Sequence, residues 1–170
     1  MRAISLAAAA ALAASAVLTS VAGPAVAGGD TGGGRHHDTV KGRAFLDGAQ
    51  EVPEEGDPDG RGRFRYVIKG DLLCYTLRVR RIETPTAAHI HFGPRGEAGP
   101  VAVTLRTPRV GVKVSDCIRA RHDQNPRNAA RVLTFWELQG IKQDAFFFYV
   151  NVHNEEFPAG AIRGQLRRTR

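Results

Sequence analysis

Residues 63–82 read RFRYVIKGDLLCYTLRVRRI, and two strand patterns meet in them. Across Arg63–Ile68, basic residues alternate with aromatic or aliphatic ones. Beyond the turn, Leu73, Tyr75, Leu77 and Val79 share one parity, and Cys74, Thr76, Arg78 and Arg80 share the other. Side chains on a strand alternate between faces, so each half reads as a strand with one apolar face. Lys69-Gly70-Asp71 between them is a hairpin-turn signal. Such a hairpin must bury its apolar face against a second layer, and the stretch predicts an all-β domain.

The pattern extends in both directions. VKGRAFLDG (40–48) alternates in the same way. AQEVPEEGDPDGRG (49–62) is an acidic turn region rich in Gly and Pro. AAHIHF (87–92), PVAVTLRTP (100–108), AFFFYVNVH (145–153) and GAIRGQLR (160–167) read as further strands. One segment breaks the period. Asn125-Pro126 resembles an N-cap followed by proline in a first helical turn, and RNAARVLTFWELQGI after it predicts a short helix ending near Gly140. About seven strands with one helical insertion predict a β-sandwich or partly closed barrel.

The chain has 170 residues and a formal charge of +7. Residues 1–27 have the make-up of a signal peptide: Arg2, an alanine-rich apolar run over 3–18, and AVA at Ala25–Ala27 as a small-x-small cleavage site. No other segment is long and apolar enough to span a bilayer. Residues 28–39, GGDTGGGRHHDT, read as a Gly-rich linker, with His36 and His37 as solvated side chains. A domain over 40–170 follows. The expectation is a secreted, extracytoplasmic protein. In that compartment two cysteines favour one disulfide, Cys74–Cys117.

The positive charge is nearly all arginine. It suits an anionic cell-surface polymer as partner, with an extracellular protein as the alternative and no specific nucleic acid. The arginines are spread along the chain rather than gathered in one helix or tail, which favours compositional bias. The acidic run Glu54–Asp59 reads as a solvated turn. Hydrolysis has no support, since there is no G-x-S-x-G elbow and neither cysteine reads as a nucleophile.

Parity places the chemistry. Ala88, Ile90 and Phe92 form one apolar set; Phe146, Phe148, Val150 and Val152 form another; Ile162, Gly164 and Leu166 form a third. If these face the core, then His89, His91, His153, Arg163 and Gln165 all point to the outer face.

Three separated motifs, AFLDGAQEVP, AAHIHFGPRGEAGPVAVTL and FYVNVHNEEFPAGAIRGQL, together resemble the CHRD domain, the module named after chordin. They span residues 44–166. The resemblance implies an extracellular β-sandwich of immunoglobulin-like or superoxide-dismutase-like architecture and implies little about function; a binding or structural module without catalysis is the leading reading of the residues. Within these motifs Glu51 stands in AFLDGAQEVP, whereas its acidic neighbours lie outside them. The chain is also similar to copper–zinc superoxide dismutases in its H-x-H pair. His89 and His91 match that pair, His153 a later copper histidine, and Arg163 the substrate-guiding arginine. The bridging histidine and the zinc loop have no counterpart, and His122 is the one further candidate ligand.

Two readings of the histidines follow. In one, the rings fix the HFGPRGEAGP and NEEFPAG loops by hydrogen bonds, joined by Arg163 and Gln165, and no cofactor is needed. In the other, His89, His91 and His153 bind copper or zinc. A metal needs the ring nitrogens within about 3–4 Å of one another, whereas bonds to loop carbonyls favour architecture.

Overall fold

The computed structural model describes residues 39–170. The expected signal peptide (1–27) and nearly all of the expected linker, including His36 and His37, lie outside the described residues. Nine strands are present: β1 (Val40–Asp47), β2 (Arg61–Lys69), β3 (Leu72–Arg80), β4 (Pro85–Phe92), β5 (Val101–Thr104), β6 (Val114–Arg119), β7 (Phe148–Asn154), β8 (Ile162–Gln165) and β9 (Arg167–Thr169). One α-helix, α1 (Phe135–Gln143), joins them. The strands form a single sheet in the order β5-β4-β7-β8-β1-β2-β3-β6, with β9 paired to β1. All of these ladders are antiparallel.

The sheet curls at its middle. β8 pairs with β7 over four residues, but its ladder with β1 has the single register pair Asp47↔Arg163. Past Leu166 the chain resumes as β9, pairing with Lys41–Arg43 of β1. The terminal strands thus bridge two limbs, β5-β4-β7-β8 and β1-β2-β3-β6, and the limbs' inner faces share one apolar core. The β2–β3 hairpin falls where the alternation places it, with Phe64, Tyr66, Leu73, Tyr75, Leu77 and Val79 buried. The Phe64 and Tyr75 rings stack at 5.4 Å between centroids. Gly42 lies opposite Tyr66 in the register, and a Cβ there would fall 2.2 Å from the tyrosine ring. The ring therefore occupies the space that glycine leaves open.

Several expectations need correction. β6 and β9 add two strands to the seven read from the pattern. β6 is an edge strand whose residues are all exposed or half-buried, so its sequence carries no apolar alternation. The helix starts later than Asn125. Residues Ala129–Arg131 make only a 3-10 turn, and α1 is capped by Thr134, whose hydroxyl accepts from the Glu137 N–H while Glu137 accepts from the Thr134 N–H. That reciprocal capping box is the T-x-x-E signature. The helix also runs past Gly140 to Gln143. Phe92 and Phe146 are not in the core: they are 49% and 55% exposed. The β4–β5 register shifts between Ile90 and His91, and Phe146 lies in a 3-10 turn (Ala145–Phe147) ahead of β7.

The disulfide is present. Cys74 and Cys117 face each other across β3 and β6. Among the described residues, no helix is long and apolar enough to cross a membrane.

Candidate functional site

Strand register decides which polar side chains meet. Two cross-strand rows run over β4, β7 and β8. One is His89–Asn151–Arg163 and the next is His91–Tyr149–Gln165, with His153 opposite Ala87. Directly opposite residues share a face, so the parity expectation is correct about direction. The face they share is not solvent-exposed. Arg163 is 2% exposed, His91, Gln165, Asn151 and Glu51 are also buried, and His89 and His153 are half-buried. The loops after β4 and β7 fold back over this face and make it a second interior.

The side chains hold those loops by their carbonyls. His91 Nδ1 donates to Gly99 O at 2.9 Å, and His153 Nδ1 to Pro158 O at 3.0 Å. Arg163 donates to Pro94 O at 2.8 Å. Gln165 Nε2 donates to Gly93 O at 2.8 Å and to Phe146 O at 2.6 Å. A carbonyl can only accept, so both histidines carry their proton on Nδ1. Tyr149, which sequence reasoning left out of the site, sits at the centre. Its hydroxyl accepts from the Gly99 N–H at 3.1 Å, the His91 ring stacks on it at 4.8 Å, and the Arg163 guanidinium lies 3.5 Å from its ring centroid. Its parity with His91 and Gln165 was the available signal.

The other ring nitrogens turn inward. His153 Nε2 lies 3.1 Å from His89 Nδ1. With the His153 proton on Nδ1, the shared proton belongs to His89 Nδ1. His91 Nε2 is buried with no partner. One nitrogen from each of the three rings lies within 4.8 Å of the other two. Two donors of a tetrahedral site with metal–nitrogen bonds of 2.0–2.1 Å stand roughly 3.4 Å apart. One pair, at 3.1 Å, is close to that separation, and a pair at 4.8 Å would have to draw in by about 1.4 Å. Burial pulls all three histidines toward neutrality. His89 falls to about 4, helped by the neighbouring His153 and His91, while bonds to Gly99 and Pro158 partly oppose the shift in His91 and His153. His122 stands apart, stacked on Phe135 at 4.2 Å.

Glu51 closes the layer from the turn after β1. Asn151 Nδ2 donates to its Oε2 at 3.3 Å, and its Oε1 has no hydrogen-bond partner. Burial pushes its carboxyl up to about 8, against the pull of Arg163 and of the Asn151 bond. A Cβ on Gly160 would lie 2.6 Å from this carboxylate, so the glycine lets the 155–161 loop close over it.

No curated protein and no solved structure matches the chain. A family profile described as CHRD domain matches residues 43–166, a span that includes Glu51, the three histidines, Arg163 and Gln165. The chain belongs to the CHRD domain family.

Proposed function

We propose that this chain is a secreted, non-catalytic binding module, and that the polar layer over β4, β7 and β8 is the clamp that holds its recognition loops rigid. The observation that carries the reading is that five loop carbonyls, Gly93, Pro94, Phe146, Gly99 and Pro158, are each held by a side chain from one sheet face. Loops fixed in this way reach a partner with little ordering entropy left to lose. Export fits the leader-like 1–27 and the disulfide. Mass spectrometry of protein recovered from the medium should then show Gly28 as the first residue; an intact Met1 in the cell fraction would contradict export. The clamp is tested by amide exchange on Gln165→Ala. Residues 93–99 and 146–147 should exchange faster while β2 and β3 stay protected. Unchanged exchange in the loops would remove the clamp.

A second reading rests on a separate observation, the convergence of three imidazole nitrogens that the clamp does not use. Metal-binding histidines characteristically donate their second N–H to a carbonyl, as His91 and His153 do here. An all-imidazole donor set suits Zn(II) or Cu(II), and His89, His91 and His153 would supply three ligands with one position open. The buried, unpartnered His91 Nε2 supports this fit. Bound metal would polarise a ligand in the open position; this chain's residues would hold it and exclude bulk water. After loading and dialysis, one equivalent of metal should remain on the wild-type chain and none on His89→Ala. Retention of no metal by wild type, or equal retention by the variant, would end this reading.

A further inference from the structure

The outer face of the other limb carries a second, unrelated feature. In the register of β1, β2, β3 and β9, arginine stands opposite arginine four times: Arg43↔Arg65, Arg63↔Arg78, Arg61↔Arg80 and Arg43↔Arg167. All of these side chains are exposed. The arginines that look scattered along the sequence are therefore gathered in space. Like charges directly opposite on a sheet destabilise it. The face does little to relieve them. The one ion pair recorded among the described residues joins Arg119 to Asp71, near the other end of β3. Asp47 is the acid at the rim, and its Oδ2 accepts from Gln50. Arg43 and Arg63 lie over the half-exposed Phe45 ring, at 5.4 and 5.2 Å from its centroid. That contact holds both guanidinium groups at the surface. Phe45, Arg61, Arg63, Arg65, Arg78 and Arg80 line a trough of about 490 Å³.

We infer that this arginine grid on β1–β3 binds an acidic polysaccharide through the carboxylates of its sugar repeat. The inference names a ligand for the binding-module reading and uses none of the clamp residues. Sheet geometry spaces the cations about 4.8 Å across strands and roughly 6.8 Å along them. Such a flat, repeating array matches an extended chain with a charge on each unit and exceeds what a single small anion needs. The planar arginine fork pairs with carboxylates in a bidentate manner. Single-stranded nucleic acid would require a run of free aromatic stacking platforms, and the ring here is taken up by two guanidinium groups. A bilayer is engaged by basic residues beside apolar groups that insert, whereas Phe45 sits mid-strand between charges.

The test is binding of the secreted protein to immobilised polygalacturonate, measured across a salt series. R63Q/R65Q/R78Q should bind at least ~10-fold more weakly at low salt, with a shallower salt dependence. R121Q/R127Q/R131Q, with the same loss of charge elsewhere, should bind like wild type. Because the first triple relieves like-charge pairs, it should melt no lower than wild type, which separates lost binding from lost folding. Equal weakening of both triples, no binding at low salt, or tighter binding to single-stranded DNA or phosphatidylglycerol vesicles would overturn the inference. Failure of Gln165→Ala to loosen its loops would bear on the clamp and leave this result standing.

Discussion

Glu51 shows what a sequence hides at the level of one residue. It sits among four other acids in a Gly/Pro-rich turn, and nothing in composition separates it from them. The fold does: Asp57 is also buried, but its Oδ1 accepts from the Asp59 and Gly60 N–H groups of its own turn, whereas Glu51 is enclosed between Asn151, Arg163 and Gly160. Its carboxyl is raised from 4.5 to about 8 by burial. An unfolded chain releases that proton near 4.5 while the folded chain keeps it, so this group's contribution to stability is full below about 4.5 and is lost as pH rises toward 8. The histidines act in the opposite sense. Their folded values lie below 6.5, so their contribution is lost as pH falls below it. Above pH 7 only the Glu51 effect remains of these two. Denaturant unfolding from pH 7 to 9 should show wild type losing stability and Glu51→Gln holding level, ending more stable by on the order of a few kcal/mol. Parallel curves for the two proteins would place the buried charge elsewhere.

Among the elements, the strands were legible and the helix start was not. Period-two alternation identifies β1, β2, β3 and β7 because each has one face in the core. β6 lacks that signature because an edge strand has little to bury. Asn125-Pro126 drew the helix too early: Asn128 does accept from the Asn125 N–H, but the result is a local turn. The decisive signal was Thr134-x-x-Glu137, which ties up two otherwise free donors at once. Thr134→Ala should cost about 1 kcal/mol in chemical denaturation. A neutral effect would mean that packing of Leu138 and Ile141 alone sets the helix start. The edge pair β3–β6 is secured covalently by Cys74–Cys117, which closes a separation of 43 residues. In the chain-entropy account, Cys74→Ala/Cys117→Ala should lose roughly 4 kcal/mol. A loss below about 1 kcal/mol would show that this account fails here.

In the whole molecule, the sequence fell short wherever two distant strands had to be placed side by side. Parity told that His89, His91, His153, Arg163 and Gln165 point away from the core. It could not tell that β4, β7 and β8 are neighbours, nor that loops cover them. The same gap concealed the arginine grid, whose members come from β1, β2, β3 and β9. One curled sheet therefore presents two outer surfaces of opposite character: a buried polar layer that shapes loops, and an exposed cationic face.

His91 and His153 hold the first surface's loops through protonated Nδ1 atoms bound to the Gly99 and Pro158 carbonyls. Long-range ¹H–¹⁵N correlation NMR of the imidazole nitrogens tests it most directly. Neutral His91 and His153 should both appear as Nδ1–H tautomers at pH 7, with Nε2 unprotonated. Nε2–H tautomers at either residue would free Gly99 or Pro158 and contradict the account.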